Sequence, residues 1–393
     1  MPNIPVKGCC GCTACASICP VSAISMKPNT EGFLYPHINH ERCVSCGRCE
    51  LVCPILQPPV MAKQYMAAAV AQNTDDQVLQ ECTSGGFIDA VNQHITEERN
   101  GYAVGVAFDE RFLPVHKITH SYEEAKAFRN SKYAQSSLDG VFPQVKDLLD
   151  QGADVVFTGT PCQVAGLKAF LDREYGNLIT IDLVCRSVPS PTLWRSYLDW
   201  QEEKHGHKIE KAACRRKTFG YHSGALEIVF ENGKRYTGSN RVDYYMKCFH
   251  KDVCSRWSCY ECAFKTEHRC SDFTVFDCWR PEAVSCENMV DNDRGYSNVI
   301  VHTAKGLDVL HVLKNIRIVQ AVPEKMFQFT GGMESRSIDK TLARECFYTS
   351  LAEHGFIETA KKYVRVSWKD HLIEFLKPMR FYVKKWIKTV KWK

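Results

Sequence analysis

The chain has 393 residues, 45% of them hydrophobic, so it is long enough for two or three domains with buried cores. Its 21 cysteines would indicate a secreted disulfide protein only in a short chain, and no signal-peptide pattern precedes them, so we expect a reducing, cytoplasmic compartment. The net charge of +5 comes from residues 368–393, which carry a net +6, so the remainder at −1 is not expected to bind nucleic acid.

Two identical cysteine runs of the form C-x2-C-x2-C-x3-C-P open the chain. They are Cys9, Cys12, Cys15 and Cys19, then Cys43, Cys46, Cys49 and Cys53. This spacing holds two [4Fe-4S] clusters in bacterial-type ferredoxins, where the fourth cysteine of each run serves the other cluster. One cluster is therefore assigned to Cys9, Cys12, Cys15 and Cys53, and the other to Cys43, Cys46, Cys49 and Cys19. A zinc site or a disulfide framework is the alternative, and Cys10, outside the register, is given no role.

The order of the predicted elements divides the chain into four parts. We expect a 2x[4Fe-4S] ferredoxin-like domain at 1–57, a flavin-associated segment at 62–138, an α/β core at 139–325 and a helical region at 326–393. In the second part the pattern predicts a strand at 65–71, a helix through 97 and a hairpin of strands at 102–109 and 113–120. In the third part strands at 154–157 and 178–184 alternate with helices at 141–150, 161–173 and 190–204. This alternation predicts an α/β core with a partly parallel sheet, α+β overall.

Two further cysteines follow predicted strands, and a CxxC pair lies downstream. Cys162 comes after strand 154–157, Cys185 after strand 178–184, and the pair is Cys259 and Cys262. Ligands gather at the carboxyl ends of strands in α/β sheets, so these four thiols are candidates for a third cluster. Spacing alone leaves buried free cysteines as an equal alternative, and Cys254, Cys270, Cys278 and Cys286 as competing ligands.

Residues 65–309 contain several strings that occur together in one known family. They are SGGF (84–87), NSKYAQS (130–136), FTGTPCQVAGL (157–167), IDLVC (181–185), VPSP (188–191), SCYECAF (258–264), SDFTVFDCW (271–279) and GYSNVIVHTAKG (295–306). By these strings the chain resembles the coenzyme F-420 hydrogenase/dehydrogenase beta-subunit family of iron–sulfur flavoproteins. The resemblance implies FAD beside a [4Fe-4S] cluster, with Cys162, Cys185, Cys259 and Cys262 as the cluster ligands.

The same resemblance selects the candidate flavin-binding residues. Taken alone, the Ser84-Gly85-Gly86 segment is a turn or a phosphate-binding helix start. With the family in view we assign it to the flavin, together with Lys132, Tyr133, Gly159 and Thr160. The chain departs from the family pattern at Arg186-Ser187, where the family usually has His-Gly, and at Phe276, where it usually has glycine. No GxGxxG segment follows a strand, so a nicotinamide site is not supported, and no catalytic residue is assigned.

The C-terminal tail interleaves lysines with aromatic residues, and Pro378 is expected to break it into two short helices. Such a segment either lies on an anionic membrane surface, which would place the protein at the inner membrane, or packs on the domain. No apolar run approaches the ~18 residues that span a bilayer.

We expect an iron–sulfur flavoprotein oxidoreductase that relays electrons between the clusters and a flavin acting on an organic substrate. Its partners would be that small molecule and an electron-donor protein. The alternative is a non-catalytic ferredoxin-type subunit that delivers electrons to a partner enzyme.

Overall fold

The ferredoxin unit is built as two similar halves around one short hairpin. The protein is described from a computed structural model covering residue 5 and residues 7–391, with side chains in the last helix described to 379 and at 381–382. The unit contains α1 (Ala14–Ser17), β1 (Ile24–Pro28), β2 (Leu34–Ile38) and α2 (Arg48–Leu51), and the two strands pair antiparallel. Thr13 and Gly47, at equivalent places in the two cysteine runs, have left-handed φ values of 69° and 75°. Each run therefore turns tightly before its helical turn.

An eight-stranded mixed sheet forms the centre of the larger body. Its strands are β3 (Ala67–Asn73), β4 (Tyr102–Phe108), β5 (Pro114–Thr119), β6 (Val155–Gly159), β7 (Leu178–Leu183), β11 (Phe273–Cys278), β12 (Tyr296–Val301) and β13 (Ile316–Gln320). The order is β13-β3-β12-β11-β7-β6-β4-β5, in which β4, β6, β7 and β11 are parallel and the others antiparallel. The predicted α/β fold is confirmed, and residues 62–138 and 139–325 contribute strands to the same sheet.

Helices cover both faces of this sheet. They are α3 (Asp76–Glu81), α4 (Phe87–Gln93), α5 (Tyr122–Ala125), α6 (Val141–Asp150), α7 (Pro161–Leu171), α10 (Pro281–Val284), α11 (Ala304–Val312) and α12 (Pro323–Phe327). On β6, Val155 and Phe157 join the core under α6 and α7, while Val156 joins the opposite core under α4. A central strand with two covered faces reads as a continuous apolar run, which is why the sequence revealed it.

A three-stranded antiparallel sheet and three helices form a second core beside the first sheet. The strands are β8 (Ile209–Arg216), β9 (Ala225–Phe230) and β10 (Arg235–Ser239), and the helices are α8 (Pro191–His205), α9 (Tyr244–His250) and α13 (Leu342–Tyr363). Trp194, Tyr197 and Phe347 are buried in this core, which also takes in Phe33 from the ferredoxin unit. β9 and β10 form a hairpin that turns at Asn232-Gly233, and β8 and β13 were not predicted.

The last helix corrects the prediction for the tail. α14 is continuous from Trp368 to Lys391 with Pro378 inside it, not two short helices. A proline removes one backbone hydrogen bond and costs about 3 kcal/mol, which need not end a helix that is held by contacts to the body. Several strand boundaries also moved, β3 for example beginning at Ala67 instead of Tyr65.

Candidate functional site

One large cavity of about 1510 Å³ lies where parallel strands of the main sheet end. Thr158 to Thr160 at the end of β6 and Val184 and Cys185 after β7 form one side of it. Residues of β8 and of α14 also line it. Its position at the carboxyl ends of β6 and β7 is where α/β proteins bind ligands, so this cavity is the candidate site.

The four cysteines proposed for a third cluster all line this cavity. Cys162 lies in the first turn of α7, Cys185 follows β7, and Cys259 and Cys262 come from one loop. After burial, the nearby Cys185, Cys262 and Cys162 thiols raise the pKa of Cys259, as is expected of thiols on one part of the cavity wall. We name these four the third site. The competing cysteines do not line the cavity: Cys254, Cys270 and Cys278 are buried in separate cores, and Cys286 is exposed.

Burial decides the protonation of the third site. It raises the pKa of Cys185 to about 12 and also raises that of Cys259 and Cys262. The neighbouring Cys10 thiol, followed by burial, raises the pKa of Cys162. Thiols of this kind stay protonated unless a metal displaces the proton, as iron–sulfur ligation requires. Across the described part of the chain, no three His, Cys, Asp or Glu side chains are grouped closely enough for a single metal ion.

Cys9, Cys12, Cys15 and Cys53 surround a small internal cavity, which we name the inner site. These four side chains are only 7–8% exposed. Cys12 packs directly against α7, because a Cβ added at Gly166 would lie 2.6 Å from the Cys12 Cβ and 2.8 Å from its Sγ. A ring of thiols around a small cavity fits the cluster that the sequence assigned to these residues.

Cys19, Cys43, Cys46 and Cys49, which we name the outer site, are more accessible. Cys46 is exposed, Cys19 and Cys43 are half-buried, and only Cys49 is buried. The Ala23 amide donates to the Cys19 Sγ at 3.2 Å. The two ferredoxin sites therefore differ in environment although their sequence runs are identical.

Cys10 of the ferredoxin unit lines both the small internal cavity and the large cavity, which the spacing did not reveal. Its thiol is within hydrogen-bond reach of Cys12 of the inner site and of Cys162 of the third site. The hydroxyl of Thr160 is 3.1 Å from the Cys162 Sγ on the other side. The inner and third sites are thus separated by one side chain.

Arg256 is a second residue of the inner site that the sequence did not reveal. Its guanidinium is fully buried and donates to the Cys9 carbonyl at 2.8 Å, while one nitrogen lies 3.7 Å from the Cys9 Sγ. It also stacks on Tyr35, with 3.9 Å between the guanidinium carbon and the ring centroid. Within the described residues no carboxylate pairs with it, so its charge faces the thiol ring. Its place three residues before Cys259 was the only available signal.

Six of the seven residues assigned to a flavin line the large cavity: Ser84, Gly86, Lys132, Tyr133, Gly159 and Thr160. Gly85 does not line it and packs against β3, where an added Cβ would come within 2.2 Å of the Ala71 carbonyl oxygen. Lys132 donates to the carbonyls of Ala127 and Arg129, and burial lowers its pKa to about 7. Thr160 and Gln163 cap α7 reciprocally, so that pair also has a structural role.

Several buried polar atoms on the cavity wall have no hydrogen-bond partner among the described residues. The Thr158 hydroxyl, the Gln135 amide nitrogen and one Arg215 nitrogen are among them. Arg215 pairs with Asp277 at 2.5 Å, and its guanidinium carbon lies 4.8 Å from the ring centroid of Trp279. Unpaired buried donors beside aromatic rings suit a planar polar ligand.

The departures from the family pattern also face this cavity. Arg186 pairs with Asp252 at 2.6 Å and donates to the His250 carbonyl. Phe276 stacks on Phe327, with ring centroids 5.8 Å apart.

The buried carboxylate of Asp272 lies outside the cavity lining. It accepts hydrogen bonds from Thr180 and Thr303.

Two family models match the chain. Residues 152–325 match the C terminus of the coenzyme F420 hydrogenase/dehydrogenase beta subunit, and residues 8–55 match a 4Fe-4S dicluster domain. The beta-subunit match includes all four cysteines of the third site, and the dicluster match includes all eight of the inner and outer sites. The chain is therefore an iron–sulfur protein of the oxidoreductase and electron-transfer class.

One curated relative of the beta-subunit domain is the coenzyme F420-dependent sulfite reductase of Methanocaldococcus jannaschii. It is 26% identical over 248 residues, which are 60% of this chain and 35% of the relative. The matched part of the chain thus spans about a third of the relative's length. A chain of the F420-reducing [NiFe] hydrogenase complex of Methanosarcina barkeri aligns over 76% of this chain and 91% of its own, with 17% identity and a TM-score of 0.45.

Among the described residues, no helix is both long and apolar enough to cross a bilayer.

Proposed function

We propose that this protein is a flavin-dependent iron–sulfur oxidoreductase, which relays electrons between its ferredoxin unit and a flavin in the large cavity. The observation that carries the proposal is one contiguous arrangement: the third-site thiols line the same cavity as the flavin candidates, and Cys10 links that site to the inner site. Electron relays need redox centres close together, and burial excludes water from the intervening residues. The outer site, with its exposed Cys46, supplies an entry point for an electron-donor protein.

The cavity residues suit FAD in their chemistry. A bound phosphate would favour the ammonium form of Lys132, whose pKa burial lowers to about 7; two of its three N–H donors reach carbonyls, which leaves one for a phosphate oxygen. Thr158, Gln135 and Arg215 offer unpaired donors, and Tyr133 and Trp279 offer rings. A bound flavin exchanges electrons with clusters singly and with organic substrates in pairs. These residues would hold it at the third site.

The relative is named for coenzyme F420, so a deazaflavin is the first organic acceptor to test. Ser187 and Phe276 line the cavity where the family pattern has glycine, and Arg186 beside them stands where it has histidine; these departures favour a different substrate. A second candidate function is a non-catalytic subunit that passes electrons to a partner enzyme, which the exposed Cys46 of the outer site favours.

The composition of the anaerobically purified protein tests the proposal. Three cubane sites predict about twelve irons per chain, with one flavin. Cys259→Ser should lose about four irons, while the exposed Cys286→Ser control keeps all of them. About eight irons without flavin in the unmodified protein would contradict the proposal.

A turnover assay separates the two candidate functions. With reduced viologen as electron source, the isolated chain should reduce an organic acceptor such as a deazaflavin. A protein that carries the full iron and flavin content but reduces no small molecule would instead fit the electron-delivery subunit.

A further inference from the structure

Helix α14 has two faces of opposite character. One face points inward: Ile373, Lys377 and Phe381 line the large cavity. The other carries an apolar stripe spaced four, three, four and three residues apart. Its members, with exposed fractions, are Trp368 (70%), Leu372 (48%), Phe375 (80%), Met379 (59%) and Tyr382 (65%). At 100° per residue these five positions fall on one narrow side of the helix, so nothing in the described fold covers them.

The inward face is fixed to the body by polar contacts. Glu374 accepts hydrogen bonds from the Ser239 amide at 3.0 Å and from its hydroxyl at 2.7 Å. Lys247 and Arg241 lie 3.4 and 3.5 Å from Asp370. Phe381 meets Phe219, with ring centroids 6.2 Å apart. The helix is therefore docked in a defined orientation with its apolar stripe turned outward.

We propose that this outer face of α14 binds an anionic membrane surface and brings one wall of the large cavity to the bilayer. The sequence of residues 368–393 holds eight lysines and arginines against two acidic residues, a net +6, whereas the rest of the chain is near neutral. An aromatic and aliphatic stripe on a strongly basic helix is complementary to anionic headgroups over acyl chains. Its position on the cavity wall makes the membrane the route of approach for a substrate that carries a lipid chain.

A second copy of the chain is the competing occupant, because the 4-3-4-3 spacing also occurs in helix pairs. Two such helices would bring two net charges of +6 together, which disfavours self-association and favours the anionic bilayer.

Sedimentation of the full chain with vesicles tests the proposal without any redox readout. Its result therefore does not depend on the iron and flavin content. The protein should sediment with vesicles of equal phosphatidylcholine and phosphatidylglycerol but not with phosphatidylcholine alone. Binding should weaken as the salt concentration rises, because salt screens the attraction between the lysines and the anionic headgroups. Failure of the unmodified protein to sediment with the anionic vesicles would overturn the proposal.

Matched variants place the binding on the stripe. The combined variant Leu372→Glu, Phe375→Glu and Met379→Glu should bind at least about tenfold more weakly, since three apolar side chains are withdrawn from the lipid. The control, Val60→Glu with Leu342→Glu, changes side chains that are 91% and 92% exposed elsewhere and should bind as the unmodified protein does. An unchanged affinity in the α14 variant would also overturn the proposal. Light scattering tests the competing occupant. If the unmodified protein is a dimer that does not bind vesicles, and the α14 variant is a monomer, the stripe is an interface with a second copy.

Discussion

The inner and outer ferredoxin sites have the same cysteine spacing and different surroundings. Every cysteine of the inner site is at most 8% exposed, and Cys12 packs on α7 of the larger body. The outer site opens to solvent at Cys46. A cysteine motif therefore fixes which atoms can ligate a cluster, while the contacts around the motif decide which cluster faces the interior. It also gives the proposed relay a direction, from a donor at the outer site towards the large cavity.

The largest expected effect comes from removing one ligand from each site. Cys15→Ser and Cys46→Ser should each lose about four irons per chain, because each cluster needs four thiolates. Only Cys15→Ser should also lower the melting temperature clearly. Its cluster lies where the ferredoxin unit packs on α7, and the binding energy of that cluster contributes to folding. Iron analysis and thermal unfolding of the pair measure this. Equal losses of stability would remove the distinction between the sites.

The next largest effect is expected at the ion pair between Glu31 of the ferredoxin unit and Arg344 of α13. Glu31 accepts two hydrogen bonds from Arg344 at 2.7 and 2.6 Å, and Arg344 is fully buried. Glu31→Gln leaves that charge unpaired and should lower the free energy of unfolding by about 3–5 kcal/mol. The exposed Glu41→Gln in the same unit should change it by less than about 0.5 kcal/mol. Urea unfolding measures both, and similar values would show that the ion pair does not hold the unit in place.

A smaller effect is expected where the inner site touches α7. Gly→Ala inside a helix normally stabilises by up to about 1 kcal/mol. At Gly166 the new methyl group would overlap Cys12, so we expect a loss of about 1–3 kcal/mol instead. Gly176→Ala, where an added Cβ meets no atom within 4 Å, is the control and should be nearly neutral. Stabilisation by Gly166→Ala would mean that the ferredoxin unit does not pack on α7 as described.

The finest test of the comparison is the reduction potential of each cluster. Arg256→Met removes the buried cation beside Cys9 and should lower the inner potential, because reduction adds negative charge there. A charge-assisted hydrogen bond is worth about 1.5–3 kcal/mol, which corresponds to roughly 60–130 mV for one electron. Arg48→Gln, at the exposed arginine on α2 of the outer site, should leave both potentials nearly unchanged. A redox titration followed by EPR distinguishes the clusters, and an unshifted inner signal would contradict the role given to Arg256.

The sequence by itself determined the features whose signal is local. The two cysteine runs identify the ferredoxin unit because a cluster needs thiolates at short, fixed spacing. Helix α6 was predicted at its observed bounds, Val141–Asp150, and β6 and β7 were found because buried strands read as apolar runs. The proposal for Cys162, Cys185, Cys259 and Cys262 came from strand ends and a family resemblance, and the fold places all four on one cavity.

Only the tertiary structure decided what depends on contacts between distant segments. Cys10 meets Cys162 across about 150 residues of sequence, and Arg256 reaches Cys9 across a separation of 247, and neither contact leaves a periodic pattern. Continuity of α14 through Pro378 depends on anchors such as Ser239, which propensity does not register. The sequence shows the outward stripe only as aromatic residues among lysines. Which face of α14 is covered depends on how the helix packs on the body. Local chemistry can be read from spacing, whereas burial and charge environment arise only when the chain has folded.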